Sequence, residues 1–247
     1  MKAIIPAAGY GTRLHPLTKD MPKALIEIGG KPVLEHVLGK IEALDEVDSV
    51  FIVTNELYFK KFREWRELYE TEMEIKIIND HTKSNEDRLG AIGDKHLAIK
   101  EGRIKEDVLD ISSDNLFDFG LGDALDFFKW KKAPVIGLYD VKDKFLARHY
   151  GIVSIDSESR VNEFMEKPEH PVSTLASIGV YFYTAETVGL FEKYFKAGHS
   201  KDAPGNFIEW LHREMPVYGH TFKGKWFDIG SFEQLDKARA EFKENKG

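Results

Sequence analysis

The 247-residue sequence contains no cysteine. That absence removes disulfide staples, zinc–thiolate centres and thiol nucleophiles from consideration. Long hydrophobic runs are missing too: no apolar stretch approaches the roughly 20 residues needed to span a bilayer. The opening Met1-Lys2-Ala3-Ile4-Ile5-Pro6-Ala7-Ala8 is too short for a secretory leader and runs straight into a structured motif, so no leader is expected. Basic charge is in deficit. Lys and Arg total 35 against 42 Asp and Glu, a net charge of −7. This argues against a general grip on nucleic acid but leaves room for a local basic patch. Internal repeats, low-complexity tracts and Gly-, Ser- or Pro-rich linkers are also lacking. What is present, 42% hydrophobic and 31% charged residues, has the balance of a globular chain. A chain of this length buries about three quarters of its unfolded surface and needs no staple. The expectation is a cytoplasmic protein with neither membrane nor nucleic acid as a partner.

Short β-type runs alternate with helical patterns through the first two thirds. Lys2–Pro6, Val50–Thr54, Glu74–Ile78, Asp107–Ile111 and Pro134–Tyr139 read as strands. Pro32–Leu44, Glu56–Tyr69, Leu89–Ile99 and Gly122–Lys131 read as helices between them. Strands separated by helices of about 10 to 15 residues imply parallel pairing through crossovers, hence a doubly wound α/β sheet. After Asp140 the pattern changes. Asp140–His149 reads as a charged loop, and Gly151–Ile155 with Arg160–Met165 as an antiparallel hairpin. Strands follow at Ser177–Thr184, Pro216–Thr221 and Trp226–Ile229, with helices at Ala185–Phe195, Phe207–Glu214 and Phe232–Phe242.

The most informative segment is Gly9-Tyr10-Gly11-Thr12-Arg13-Leu14-His15-Pro16-Leu17-Thr18, directly after the first strand. Open α/β sheets bind ligands at this carboxyl edge. Glycines let the backbone turn sharply and bring its N–H groups close to a phosphate chain. Arg13 adds a planar cationic fork suited to phosphate oxygens, and Lys23 a second cation. A dinucleotide fingerprint is disfavoured, because Leu14 stands at its third glycine and Pro16 and Pro22 interrupt the helix it requires. A Walker A loop would end in Gly-Lys-Ser/Thr, which is not found here.

Gly9-Tyr10-Gly11-Thr12-Arg13-Leu14-x-Pro16-Leu17-Thr18 followed by Pro22-Lys23-Ala24-Leu25 resembles the signature of the sugar-phosphate nucleotidyltransferases, or NDP-sugar pyrophosphorylases. Later landmarks keep the family's order along essentially the whole chain. The resemblance implies a Rossmann-like, doubly wound, mostly parallel sheet with helices on both faces and a small antiparallel sugar-binding part in the second half. It implies one domain over 1–247, nucleotide-binding to about residue 140 and sugar-phosphate-binding beyond. Ala8, Gly9, Gly11, Thr12 and Arg13 would hold the nucleoside triphosphate.

Asp114, in Ser112-Ser113-Asp114-Asn115, resembles the family's Gly-Asp-Asn metal ligand, with Ser113 in place of glycine; read alone, a loop or helix cap is the favoured reading. Asp228, in Trp226-Phe227-Asp228-Ile229-Gly230, resembles the second metal carboxylate, and it too has a capping alternative. That the two meet on one Mg2+ is implied by the resemblance alone. Glu166-Lys167-Pro168 reads by itself as a solvated strand end; it resembles the sugar-site motif, with Glu166 on hydroxyls and Lys167 on the sugar phosphate. Gly151 and Gly179 resemble glycines that lie against the sugar. Where many members carry a glutamine and a Gly-Leu-Ala-Gln stretch against the base, this chain offers Asn85 and Gly90. Lys201-Asp202-Ala203-Pro204-Gly205-Asn206 lacks the acidic segment of the thymidylyl enzymes. The histidines show no metal-ligand spacing.

The implied reaction is attack of a sugar-phosphate oxygen on the α-phosphorus of a nucleoside triphosphate, with pyrophosphate leaving. Arg13, Lys23 and Lys167 would act by positioning and neutralising charge. Two other readings stand beside it: an alcohol phosphate such as phosphocholine or inositol phosphate as acceptor, or a non-catalytic nucleotide-sensing subunit. A homodimer is a family expectation. The sequence ends soon after the last helix, and an appended β-helical domain of the kind some relatives carry is not expected.

Overall fold

The structure is a computed structural model that describes residues 1–242. Strand β1 (Lys2–Pro6) leads into three short 3-10 turns, Thr12–Leu14, Leu17–Lys19 and Lys23–Leu25, and a small ribbon of β2 (Glu27–Ile28) and β3 (Lys31–Pro32). Then come α1 (Val33–Glu42), β4 (Ser49–Thr54), α2 (Phe59–Leu68), β5 (Glu74–Asn79), α3 (Ala91–Glu101) and β6 (Val108–Ile111). A short β7 (Asn115–Phe117) precedes α4 (Gly122–Lys131) and β8 (Val135–Asp140). The second half holds α5 (Lys144–Ala147), β9 (Gly151–Ile155), β10 (Val161–Glu166), β11 (Leu175–Tyr183), α6 (Ala185–Lys196) and α7 (Pro204–Glu214). It closes with β12 (Tyr218–Thr221), β13 (Trp226–Asp228) and α8 (Phe232–Glu241).

The strand alternation explains the two layers of helices. Successive side chains of a strand point to opposite faces. Ala3, Ile5, Val50, Ile52, Leu109 and Ile111 therefore share one face, where Leu34, Leu38 and Ile41 of α1 and Phe62 of α2 cover them. Ile4, Phe51, Val53 and Val108 share the other, under Ile92 and Ala98 of α3, Phe191 of α6 and Phe207 of α7. Each fully buried aliphatic or aromatic side chain contributes roughly 1.5–3 kcal/mol. A third apolar cluster joins Leu14, Ile26 and Ile28 from the first turns to Leu116, Phe227, Ile229 and Leu235.

The main sheet runs β10-β9-β11-β6-β1-β4-β5, with β8 and β12 branching from β11. The parallel part is β6-β1-β4-β5, as helix-spaced strands require. β8 departs from that series. It pairs antiparallel with β11 and parallel with β12. The cause is the length of β11, whose first half pairs with β9 and whose second half pairs with β6, with β8 alongside both. The loop expected at Asp140–His149 contains α5, because Asp143 accepts hydrogen bonds from the N–H groups of Phe145 and Leu146 and caps a turn too short to show periodicity. Among the described residues no helix is long and apolar enough to cross a membrane.

One charged pair lies inside the helical layer. Lys95 Nζ is 2.5 Å from Asp110 Oδ2, both side chains almost fully buried, though off the angle of a directed hydrogen bond. The ammonium also sits 4.7 Å from the centre of the Tyr181 ring. Burial pushes the Asp110 carboxyl up to about 6, against the pull of Lys95. Removing one member leaves the other uncompensated in a dry site. Lys95→Met is expected to lower stability in urea denaturation by about 3 kcal/mol near neutral pH, and Lys95→Met with Asp110→Leu to recover most of the loss.

Candidate active site

The Gly-rich loop leaves β1 at the carboxyl edge of the parallel strands, where Ala7 N–H still bonds to Val53 O at 2.7 Å. Gly11 then takes a left-handed backbone, with φ of 59°. Its carbonyl accepts from Thr18 Oγ1 at 2.7 Å, and a Cβ there would stand 3.1 Å from the Thr18 methyl. The loop is held from behind by the turn that follows β4. Asn55 Nδ2 donates to Ala8 O at 2.8 Å, and the buried Tyr58 hydroxyl reaches Tyr10 O at 3.1 Å and Thr18 O at 2.5 Å. Tyr10 in turn bonds through its hydroxyl to Thr82 Oγ1, which donates to Asp80. With these carbonyls drawn inward, Gly9, Thr12 and Arg13 stay exposed. Among the described residues, the N–H groups from Gly9 to Arg13 have no protein acceptor. Backbone donors left free at a sheet edge are what an anion needs.

The two aspartates, more than a hundred positions apart, are neighbours. β7 pairs antiparallel with β13 so that Asn115 stands opposite Asp228, and Ile229 N–H donates to Asp114 O at 2.9 Å. Asn115 is the buried joint of this ribbon. Its Nδ2 donates to Ile178 O, and its Oδ1 accepts from Trp226 Nε1 at 3.0 Å. The turn through Ser112, Ser113 and Asp114 packs on β11 where Gly179 has φ of 69°, and a Cβ at Gly179 would stand 2.4 Å from Ser112 Oγ. The missing side chain of Gly179 thus serves the Asp114 turn. Ser113, found where the family motif has glycine, is buried in this turn.

Cations surround the pair. Lys23 forms an ion pair with Asp114. Burial, and then the charge of Asp114, push the Asp228 carboxyl up to about 6, while Lys23, Arg13 and Lys167 pull it down. Arg13 Nη2 also lies 3.2 Å from where a Cβ on Gly230 would be, beside Asp228. Five of the six charged residues singled out in the sequence, Arg13, Lys23, Asp114, Lys167 and Asp228, therefore share one electrostatic neighbourhood.

Glu166 ends β10 next to them. Burial raises its carboxyl above the usual range; Lys167 opposes this and Glu209 adds to it. Gly151 and Gly205 flank the carboxylate, since a Cβ on either would stand 3.0 Å and 2.0 Å from Oε2. Lys167 has a left-handed backbone, with φ of 47°, which costs a non-glycine residue about 1–2 kcal/mol. Its N–H donates to Tyr150 O at 3.1 Å, and the Tyr150 ring meets Trp226 edge-on at 5.0 Å. Burial above all, then Asp228, push the Tyr150 hydroxyl up to about 12.

Two candidates stand apart. Asn85 is half-buried in an outer turn and accepts from Arg88 Nη1 at 2.7 Å through its carbonyl. Gly90 caps α3 and lies against Lys201 and Asp202. Sequence reasoning passed over Asn55, Tyr58 and the role of Asn115. The only signal for Asn55 was an Asn directly after a strand, a common turn residue. Among the described residues no group of three or more His, Cys, Asp or Glu stands ready for a metal.

A buried carboxylate raised above its ordinary value near 4 opposes folding when ionised. The stability it leaves intact at low pH is lost as pH rises through about 6. In metal-free buffer Asp228→Asn is expected to raise the melting temperature by a few degrees near pH 8. The gain should vanish near pH 4, as differential scanning fluorimetry at the two values can measure.

Comparison with known proteins places the chain in a family. The nucleotidyl transferase family pattern matches residues 2–245. The bifunctional protein GlmU of Methanocaldococcus jannaschii is 30% identical over 232 residues, 93% of this chain and 51% of that protein. The chain thus spans about half the length of the GlmU relatives it matches. The UTP–glucose-1-phosphate uridylyltransferase AglF of Haloferax volcanii is 31% identical over 184 residues, 74% of this chain and 72% of that one. A putative glucose-1-phosphate thymidylyltransferase from Bacillus anthracis shares the fold with a TM-score of 0.83 at 22% identity, over 100% of this chain and 98% of the other. A UDP-glucose pyrophosphorylase complexed with UDP-glucose does so with 0.82 at 21%, over 97% of each chain. With a family pattern spanning nearly its whole length, this chain belongs to the nucleotidyl transferase family.

Proposed function

We propose that the protein transfers a nucleotidyl group from a nucleoside triphosphate to a sugar 1-phosphate and releases pyrophosphate. The observation that carries this reading is the meeting of Asp114 and Asp228 among Lys23, Arg13 and Lys167, in front of a loop whose backbone donors are free. The names of the relatives support it, since AglF is a uridylyltransferase for glucose 1-phosphate.

The residues fit a hard divalent cation. Two carboxylates are held together, and burial first and the charge of Asp114 second push Asp228 up to about 6; a bound cation would offset both. Mg2+ is bound through one or two carboxylates, the rest of its shell being water and phosphate oxygen. We assign Asp114 and Asp228 to it. When bound, the ion neutralises charge on the phosphates of the reacting nucleotide.

The protein's own groups do the positioning. The N–H groups from Gly9 to Thr12 and the guanidinium of Arg13 take the triphosphate, with Ala8 at the inner end of the loop. Gly90 and Asn85, which stand apart from the carboxylate cluster, we assign to the base side on the resemblance alone. Lys167, on a backbone set by Tyr150, seats the sugar phosphate, while Glu166 between Gly151 and Gly205 takes sugar hydroxyls. Lys23 neutralises phosphate charge beside Asp114. The attacking phosphate oxygen is already an anion at neutral pH, so no general base is required, and the barrier falls through alignment and charge neutralisation.

The test is pyrophosphate release with Mg2+ across the common nucleoside triphosphates and hexose 1-phosphates, with phosphocholine and inositol phosphate as further arms. One strongly preferred sugar phosphate is expected. Arg13→Ala and Asp228→Ala should each lower kcat about 10²- to 10³-fold, the usual loss for one group acting on transition-state charge. Turnover with only an alcohol phosphate, or with none of these acceptors, would overturn the sugar assignment.

A further inference from the structure

The segment 83–93, which holds Asn85 and Gly90, and the segment 201–206 are bonded to each other. Arg88 Nε donates to Asp202 Oδ1 at 3.1 Å and its Nη2 to Oδ2 at 3.2 Å, a two-pronged pair. The first N–H groups of α3, on Ala91 and Ile92, donate to the carbonyls of Asp202 and Lys201, each at 3.0 Å. Gly90 lies so close that a Cβ would stand 2.4 Å from Lys201 O. Three residues on, Gly205 opens α7 and packs against the other half of the site. A Cβ there would stand 2.0 Å from Glu166 Oε2 and 2.8 Å from the Phe164 ring.

Hydrogen bonds within the strap and at its ends brace it. Asn206 N–H returns to Ala203 O at 3.1 Å, Asn206 Nδ2 donates to Ser200 Oγ at 2.8 Å, and Tyr194 OH donates to Ser200 O at 2.5 Å. Contacts therefore run unbroken from the 83–93 loop through 201–205 to the carboxylate of Glu166. We propose that Arg88 and Asp202 are positioning residues that couple the nucleotide-side loop to the acceptor-side carboxylate Glu166 through the strap 201–205. This rests on the assignments of Glu166 to the sugar and of Asn85 and Gly90 to the base. The coupling is reciprocal by linkage: a nucleotide that orders the loop prepares Glu166, and an acceptor on Glu166 steadies the loop.

Both side chains are largely exposed, at 40% and 63%, which bounds the effect. An exposed pair of good geometry contributes up to about 1 kcal/mol, or roughly fivefold in an equilibrium. Arg88→Ala and Asp202→Ala are each expected to raise KM for the acceptor about fivefold at saturating nucleotide, with kcat nearly unchanged. The exchanged double variant Arg88→Asp with Asp202→Arg should restore KM. A merely structural pair would alter melting temperature without this split.

Amide hydrogen exchange reads the same link without turnover. Either single variant should increase exchange in Val161–Glu166 as well as in 83–93, and the exchanged double should reverse both. Exchange changes confined to 83–93 and 200–203, with acceptor KM unmoved, would overturn the coupling. Absence of turnover in the wild type would refute the sugar assignment separately, and the exchange data would still decide whether the strap transmits.

Discussion

The short ribbon in which Asn115 stands opposite Asp228 is the constraint on which the site depends. It brings two carboxylates together from distant parts of the chain, an arrangement that like charges resist. The fold overcomes that repulsion in two ways. Behind the ribbon, Leu116, Phe227, Ile229 and Leu235 are buried with Leu14 and Ile28, so separating the strands would expose an apolar cluster. In front, Lys23, Arg13 and Lys167 supply opposing charge. Asn115 then fixes the ribbon to both β11 and Trp226, leaving little freedom in where Asp114 can stand.

The same logic governs the Gly-rich loop, with backbone in place of side chains. A loop of free N–H groups is useful only if its carbonyls point elsewhere. Asn55 and Tyr58 provide that, both almost fully buried at the start of a helix on the neighbouring strand's connection. The loop is thereby preorganised by groups that need touch no ligand, which reduces the reorganisation needed to bind an anion there. Glu166 belongs to a different part of the sheet and reaches this face through β10, Lys167 and the Trp226–Tyr150 contact.

Much of the fold was legible because long periodic segments declare themselves. The strands Lys2–Pro6 and Gly151–Ile155 and the helix Gly122–Lys131 lie where alternation and helical spacing put them. β7 was not legible: three residues carry no periodicity, and its partner lies over a hundred positions away. The placement of β8 beside β11 depends on the length of β11, which local pattern does not reveal. In the site, glycine and charge marked Gly11, Arg13 and Lys23 because few other residue types serve at such positions. The ion pair of Lys23 with Asp114 was invisible, since spacing says nothing about contacts across a fold. Asn85 and Gly90 were chosen by position alone, and Gly90 turns out to face the 201–202 strap.

Asp114 and Asp228 are proposed to hold a divalent cation together in front of the Gly-rich loop. Titrating Mn2+ by electron paramagnetic resonance with a nucleoside triphosphate present tests it without reference to turnover. The account predicts one tightly held ion per chain, lost when either Asp114 or Asp228 is replaced by alanine and retained when Glu209 is. Undiminished binding in both aspartate variants would contradict it.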